Sequence, residues 1–313
     1  PCPIYSGLTL VWWTAWLIAG DTPLVSFCHA MSTIATSGIS PSGGTTESAS
    51  GVVGEVLVLL FLIFALSRLT FVVEERTDGW RSLWTDPELR LGTLIIVALA
   101  TMLFFRHFGA SLEEGRVVPP NEGLLGLWGA LFTVTSFLTT TGFESSHWET
   151  AQSWSGLGSP GVLLLGLAVF GGGVATTAGG VKLLRVYALY KHGLREMEKL
   201  VLPSSIGGAG QVARRFRRQG AYVAWVFFML FAILIAAVTI AFSLFAGVDF
   251  EGAMILTIAT LSTTGPLTQI AGDVPVNPAE LGDAAKAIMS AAMILGRLET
   301  LAIIALLNPE FWR

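Results

Sequence analysis

Three short segments that stop partway across a membrane constrain this chain more than any other feature. Each lies between apolar stretches long enough to cross a bilayer, yet is itself too short or too polar to do so. The long stretches fall near residues 5–19, 52–73, 91–108, 160–190, 221–246 and 284–307, and the short ones near 22–36, 122–140 and 249–263. Each short segment opens like a helix: Asp21-Thr22-Pro23, Asn121-Glu122 and Asp249-Phe250-Glu251 supply polar caps, acids and a first-turn proline. Amphipathic helices lying on the membrane surface are the plainer alternative. Composition excludes a soluble domain. Of 313 residues 53% are hydrophobic and 13% charged, about half the charged share usual in soluble proteins, and the mean hydropathy is +0.68. The chain is predicted to be an all-α integral membrane protein. It opens Pro1-Cys2-Pro3 with no Met or leader pattern, so the native start is expected to lie upstream.

The three short segments end alike. They read Ser32-Thr33-Ile34-Ala35-Thr36-Ser37-Gly38, Ser136-Phe137-Leu138-Thr139-Thr140-Thr141-Gly142 and Ala259-Thr260-Leu261-Ser262-Thr263-Thr264-Gly265. Two hydroxyl residues precede each glycine, and the glycines stand 104 and then 123 residues apart, so the unit is helix, dip, helix. Non-helical backbone at membrane depth must be buried in protein or line water. Extended there, it can aim carbonyl oxygens inward to replace an alkali ion's hydration shell. Glycine permits the backbone angles this needs and leaves the axis open. Ala35, Thr36, Ser37, Gly38, Thr139, Thr140, Thr141, Gly142, Ser262, Thr263, Thr264 and Gly265 are therefore the candidate ion-binding filter. One Thr-Thr-Gly would mean little, because small polar residues commonly join transmembrane helices. Three in register between apolar spans point to an ion.

Charge sets the sidedness. If each short segment returns to the face it entered, the remaining loops are 68–90 and 182–218, followed by the C-terminal tail; these carry 14 of the 18 basic residues and are expected in the cytoplasm. The opposite loops are acidic, with Asp21, Glu47, Glu113, Glu144, Asp249 and Glu280 among them, and would either concentrate cations or simply hydrate the surface. The tryptophans, including Trp12, Trp13, Trp16, Trp80 and Trp84, fit interfacial belts.

Two further features lie inside predicted spans. The tract Phe170-Gly171-Gly172-Gly173-Val174-Ala175-Thr176-Thr177-Ala178-Gly179-Gly180-Val181-Lys182 would break an ordinary helix, since each glycine costs roughly 1 kcal/mol relative to alanine. A mobile intramembrane segment or close helix packing would account for it. Arg297 sits among apolar residues, either paired with Glu299 or Glu55 or facing a cavity as an electrostatic barrier.

These residues resemble the Trk/Ktr/HKT superfamily of potassium transporters, most of all its bacterial TrkH/TrkG-type pore subunits, and the likeness covers essentially the whole chain. The resemblance implies four covalently joined helix–pore loop–helix repeats around a pseudo-fourfold ion pore. Three are found here: residues 1–75, 76–200 and 201–313, similar to the family's repeats two, three and four, with the first missing. By this resemblance Gly171, Gly172, Gly173, Ala175, Thr176, Thr177, Gly179, Gly180 and Lys182 form a gating loop below the filter, and Arg297 projects toward the pore. Potassium would be bound as substrate at Thr36, Ser37, Gly38, Thr140, Thr141, Gly142, Thr263, Thr264 and Gly265, with no other cofactor. The family also implies a homodimer in the cytoplasmic (inner) membrane and a cytosolic nucleotide-binding regulatory ring of TrkA type. The basic segment from Lys191 to Arg218 would meet that ring or anionic lipid.

Rival readings are weaker. An alternating-access carrier would show inverted repeats with paired broken helices, whereas these repeats share one orientation. An intramembrane hydrolase needs a nucleophile with a base, or a metal, at membrane depth, and no His or Asp lies inside a predicted span beside a suitable Ser. His29, His107, His147 and His192 are scattered, the two cysteines Cys2 and Cys28 make no framework, and Gly156–Gly161 spells a dinucleotide fingerprint with no strand before it. A net charge of −4 argues against nucleic acid.

Overall fold

A computed structural model describes residues 2–66, 86–113, 120–148, 160–173, 176–201, 218–272 and 274–297. All regular structure among them is helical. The helices are α1 (Cys2–Ile18), α2 (Pro23–Ala35), α3 (Gly51–Ala65), α4 (Pro87–Glu113), α5 (Pro120–Leu138), α6 (Pro160–Phe170), α7 (Leu183–Val201), α8 (Arg218–Phe245), α9 (Phe250–Leu261), the four-residue α10 (Leu267–Ile270) and α11 (Asp283–Arg297).

The short segments are the short helices α2, α5 and α9. α2 packs against α1 and α3, α5 against α4 and α6, and α9 against α8 and α11. Cross-contacts of α3 with α5 and of α6 with α9 join these groups side by side. The core follows that arrangement. Val134, Phe137 and Leu138 of α5 meet Ile96 and Leu103 of α4, Leu164 and Leu167 of α6, and Ile255 of α9. A second cluster joins Phe227, Phe231 and Phe242 of α8 to Leu256 and Leu261 of α9 and Ala285 and Ala292 of α11. Lipid is as apolar as these side chains, so close fit rather than water exclusion decides such contacts. Two glycines show how close. A Cβ on Gly161 would stand 1.8 Å from the Ala271 carbonyl oxygen, and one on Gly296 would stand 2.1 Å from that of Leu261.

Several buried hydroxyls on the short helices bond back to the helix backbone, whereas Ser136 Oγ finds no partner among the described residues. Thr33, Thr135, Thr139, Thr257, Thr260 and Ser262 each donate to the carbonyl four residues back, at 2.6 to 3.0 Å. This back-bonding lets a hydroxyl sit in an apolar environment at little cost.

The structure amends several expectations. Only Pro87–Arg106 and Ala221–Phe245 are long and apolar enough, among the described residues, to cross a membrane as unbroken helices. The stretch 160–190 is not one helix: α6 stops at Phe170, a loop follows, and α7 runs from Leu183 to Val201, into what reads as a basic loop. Gly171 and Gly180 at positive φ make that break. Asp249 caps α9, accepting from Gly252 N at 3.0 Å. Asp21 does not cap α2, whose N-cap is Thr22. Nor does Asp21 line an acidic vestibule, because it is buried beneath Ser48 and Ser50. Trp16 is fully buried against His29, with ring centroids 4.7 Å apart, rather than belted at an interface.

Candidate functional site

The C-terminal ends of α2, α5 and α9 carry the three glycine segments, and all three end in the same way. Thr36, Thr140 and Thr263, each two residues before its glycine, are the only described non-glycine residues at positive φ, with values of 47°, 56° and 56°. The amide of the next residue reaches back five positions: Ser37 to Ser32 O at 3.0 Å, Thr141 to Ser136 O at 2.9 Å, and Thr264 to Ala259 O at 2.8 Å. The threonine amide itself reaches back three, to Thr33, Phe137 and Thr260. This is a Schellman closure, which normally places glycine at the left-handed position. Threonine there costs roughly 1–2 kcal/mol. The same cost appears at three equivalent places, as strain does where surrounding structure over-determines it.

The three turns touch. A Cβ on Gly38, whose φ is +62°, would lie 2.0 Å from the Thr141 carbonyl oxygen and 3.1 Å from Cγ of Pro266. A Cβ on Gly142 would meet Thr264 Cγ2 at 2.8 Å and Pro266 Cδ at 3.1 Å. Thr264 Oγ1 lies 3.3 Å from the Thr140 carbonyl, to which it donates. A Cβ on Gly265 would meet no atom of the described residues within 4 Å. Each helix therefore delivers its C-terminus to one spot, and each C-terminus carries about half a negative charge. Negative potential is concentrated there.

The glycine-rich loop lies against all three turns. Thr177 Oγ1 donates to the Ala35 carbonyl at 2.6 Å and sits 2.8 Å from Thr36 Oγ1. Gly179 N donates to Thr140 Oγ1 at 3.0 Å. A Cβ on Gly179 would stand 2.3 Å from the Ser262 carbonyl oxygen, and one on Gly172 would stand 3.5 Å from Thr139 Cα. The loop also closes on itself. Val181 N donates to Val169 O at 2.8 Å, Leu183 N to Gly172 O at 3.3 Å, and Thr176 to Gly173 O through both its amide and its hydroxyl. Lys182 is buried, and its ammonium donates to the carbonyls of Thr176, at 3.2 Å, and Ala178. Ala175 lies outside the described residues.

Arg297 ends α11 with its side chain exposed. It follows Gly296, which abuts Leu261 at the foot of the third turn. A pair with Glu55 is not made: Glu55 accepts instead from Trp128, Ser145 and Ser146. Glu299 lies outside the described residues. The sequence reading missed this use of Glu55, although an acid inside an apolar helix was a visible signal. It also missed a second polar knot. There Asp21 accepts from the Ser48 hydroxyl at 2.7 and 2.8 Å and from Ser50 N at 3.0 Å, His29 Nδ1 lies 3.4 Å from Asp21 Oδ2, and His29 Nε2 bonds Ser40 Oγ at 2.7 Å. The partners stand 8 to 29 positions apart, so no local motif reveals them. No group of three metal-ligating side chains occurs among the described residues.

Apolar helices that bring oxygen-rich turns and helix C-termini to one point define a class, the helical cation transporters of membranes. The family model TrkH, cation transport protein, matches residues 10–310, and the chain belongs to that family. It is similar to the Trk system potassium uptake protein TrkH of Salmonella typhimurium, 29% identical across 99% of this chain and 61% of that protein. The TrkH protein of Halomonas elongata is 30% identical over the same shares. The crystal structure of the potassium transporter TrkH from Vibrio parahaemolyticus superposes with a TM-score of 0.78 at 27% identity, covering 99% of this chain and 64% of that one. The chain thus spans about three fifths of the relatives it matches. The family transports ions; it does not make or break covalent bonds.

Proposed function

We propose that this chain is the larger part of a potassium uptake protein of the cytoplasmic membrane, and that the three converging turns form its selectivity filter. The observation that carries this reading is the meeting of three equivalent strained turns at the C-termini of three short helices. Main-chain oxygens of residues 35–38, 139–142 and 262–265 replace the ion's water, and the helix ends supply negative potential. Neutral dipoles hold a monovalent ion weakly enough to release it. The helix groups within 1–75, 76–200 and 201–313 are then quasi-equivalent repeats, and a further repeat outside this sequence completes the ring beside Gly265.

The loop 171–182 is the gate. Its Thr177 hydroxyl already occupies the Ala35 carbonyl, and its backbone abuts the other two turns, so an ion leaving the filter inward meets closed backbone. Lys182 fastens the loop in that form, and Arg297 adds a positive barrier below it. Removing residues 173–179 from the intact protein raises flux on this reading. The assembly is a homodimer in lipid, with the basic segment from Lys191 to Arg218 meeting a nucleotide-binding ring of TrkA type. The test is rubidium uptake by the full-length protein in liposomes, with potassium, sodium and lithium as competitors. Potassium competes best on this reading; equal competition by all three sinks it.

A further inference from the structure

Behind the second turn sits a carboxylate that the filter reading does not use. Glu55 lies on α3, in the run Gly51-Val52-Val53-Gly54-Glu55-Val56-Leu57-Val58-Leu59-Leu60, and is fully buried. Its Oε2 accepts from Trp128 Nε1 at 2.6 Å and from Ser145 Oγ at 2.9 Å. Its Oε1 accepts from Ser146 N at 2.7 Å and from Ser146 Oγ at 2.8 Å. All four donors are neutral. Burying an acid among apolar side chains is unfavourable unless fixed donors replace its water, and here they do.

The donors bracket the second turn. Trp128 is on α5, the helix that delivers Thr140, Thr141 and Gly142; Ser145 and Ser146 are on the limb that leaves Gly142. One side chain from a different helix thus ties the arriving and departing limbs of the turn together. Trp128 Nε1 and Ser146 N can only donate, and each addresses a different oxygen, so the site requires an acceptor at both positions. A glutamine supplies only one. The turn between them is strained, with Thr140 at φ 56° and Gly142 at φ 86°, and strained backbone holds its shape only while its surroundings fix it.

We infer that Glu55 is a positioning residue for ion selection, acting through Trp128, Ser145 and Ser146 to hold the carbonyls of the second turn in place. This rests on reading that turn as part of a filter. A loosened outer limb lets the oxygens follow a smaller ion inward, so discrimination falls before throughput does.

The experiment uses the full-length protein in liposomes and measures the ratio of potassium to sodium needed to halve rubidium uptake. Glu55→Gln is expected to lower potassium preference about fivefold, the scale of one mispaired buried hydrogen bond. Glu55→Asp falls between, and Trp128→Phe and Ser145→Ala, each removing one donor, give smaller losses in the same direction. A wild-type ratio in Glu55→Gln overturns the inference. If that variant does not fold, wild-type ratios in both Trp128→Phe and Ser145→Ala overturn it. An unmutated protein that fails to discriminate potassium from sodium sinks the filter reading, and this inference with it.

Discussion

At Thr36, Thr140 and Thr263 the chain accepts a backbone conformation that glycine would adopt more easily, and two of the three put the hydroxyl to use. Thr36 Oγ1 meets Thr177, and Thr140 Oγ1 takes the amide of Gly179, while Thr263 Oγ1 has no partner among the described residues. Glycines 38 and 142 answer a different demand, since a Cβ on either would strike the neighbouring turn. Gly38→Ala is the sharper case, because the nearest atom is a main-chain oxygen that cannot swing aside. Its rubidium uptake is expected to drop at least about tenfold, a change of about 1.4 kcal/mol in the barrier, because the new Cβ and the Thr141 carbonyl cannot both keep their places. Wild-type uptake by a well-folded Gly38→Ala protein would mean that the first turn does not shape the path. At this scale the sequence made the glycines legible, because their register repeats three times. The left-handed threonines were not legible, since a Thr-Ser or Thr-Thr pair reads as a source of hydroxyl ligands and gives no sign of its φ.

Among the elements, the loop between α6 and α7 is held by side-chain bonds that are accessible to mutation. Thr177→Val keeps the volume but loses the hydrogen bond to the Ala35 carbonyl; such a bond contributes about 1 kcal/mol. Lys182→Met removes the ammonium that joins the carbonyls of Thr176 and Ala178. Both are expected to speed uptake by several-fold, and Lys182→Met without a change in ion preference, because the carbonyls it releases belong to the loop and not to the filter. Uptake left at the wild-type rate in both would remove the loop from gating. Asp249→Ala makes a control of another kind. It deletes the cap on α9 and should cost about 1 kcal/mol of stability, read as a lower melting temperature, while potassium preference stays unchanged. Helix bounds were largely readable from the sequence: 22–36, 122–140 and 249–263 were expected, against Pro23–Ala35, Pro120–Leu138 and Phe250–Leu261. Apolar period and Pro or Asp starts carry that information. The contacts of Asp21 and Glu55 were hidden because they depend on which helices become neighbours.

Across the whole molecule the same chemistry sorts by side. Basic residues gather in the sequence after α3 and in and after α7, whereas the stretches between α2 and α3 and after α5 carry serines, threonines and acids. Positive loops remain in the cytoplasm because moving them across an energised membrane is unfavourable. Thr46 stands exposed between α2 and α3, just beyond the first turn, and Arg195 stands exposed on α7, past the loop beneath all three turns. On the proposed topology they stand on opposite faces, Thr46 outside and Arg195 within. In full-length protein freed of its own cysteines, Thr46→Cys should react in intact cells with a maleimide that cannot cross the membrane. Arg195→Cys should react only once the cells are opened. The opposite pattern would invert the protein in its membrane, turning the proposed gate outward and the filter mouth inward, and the uptake direction argued from them would have to be given up.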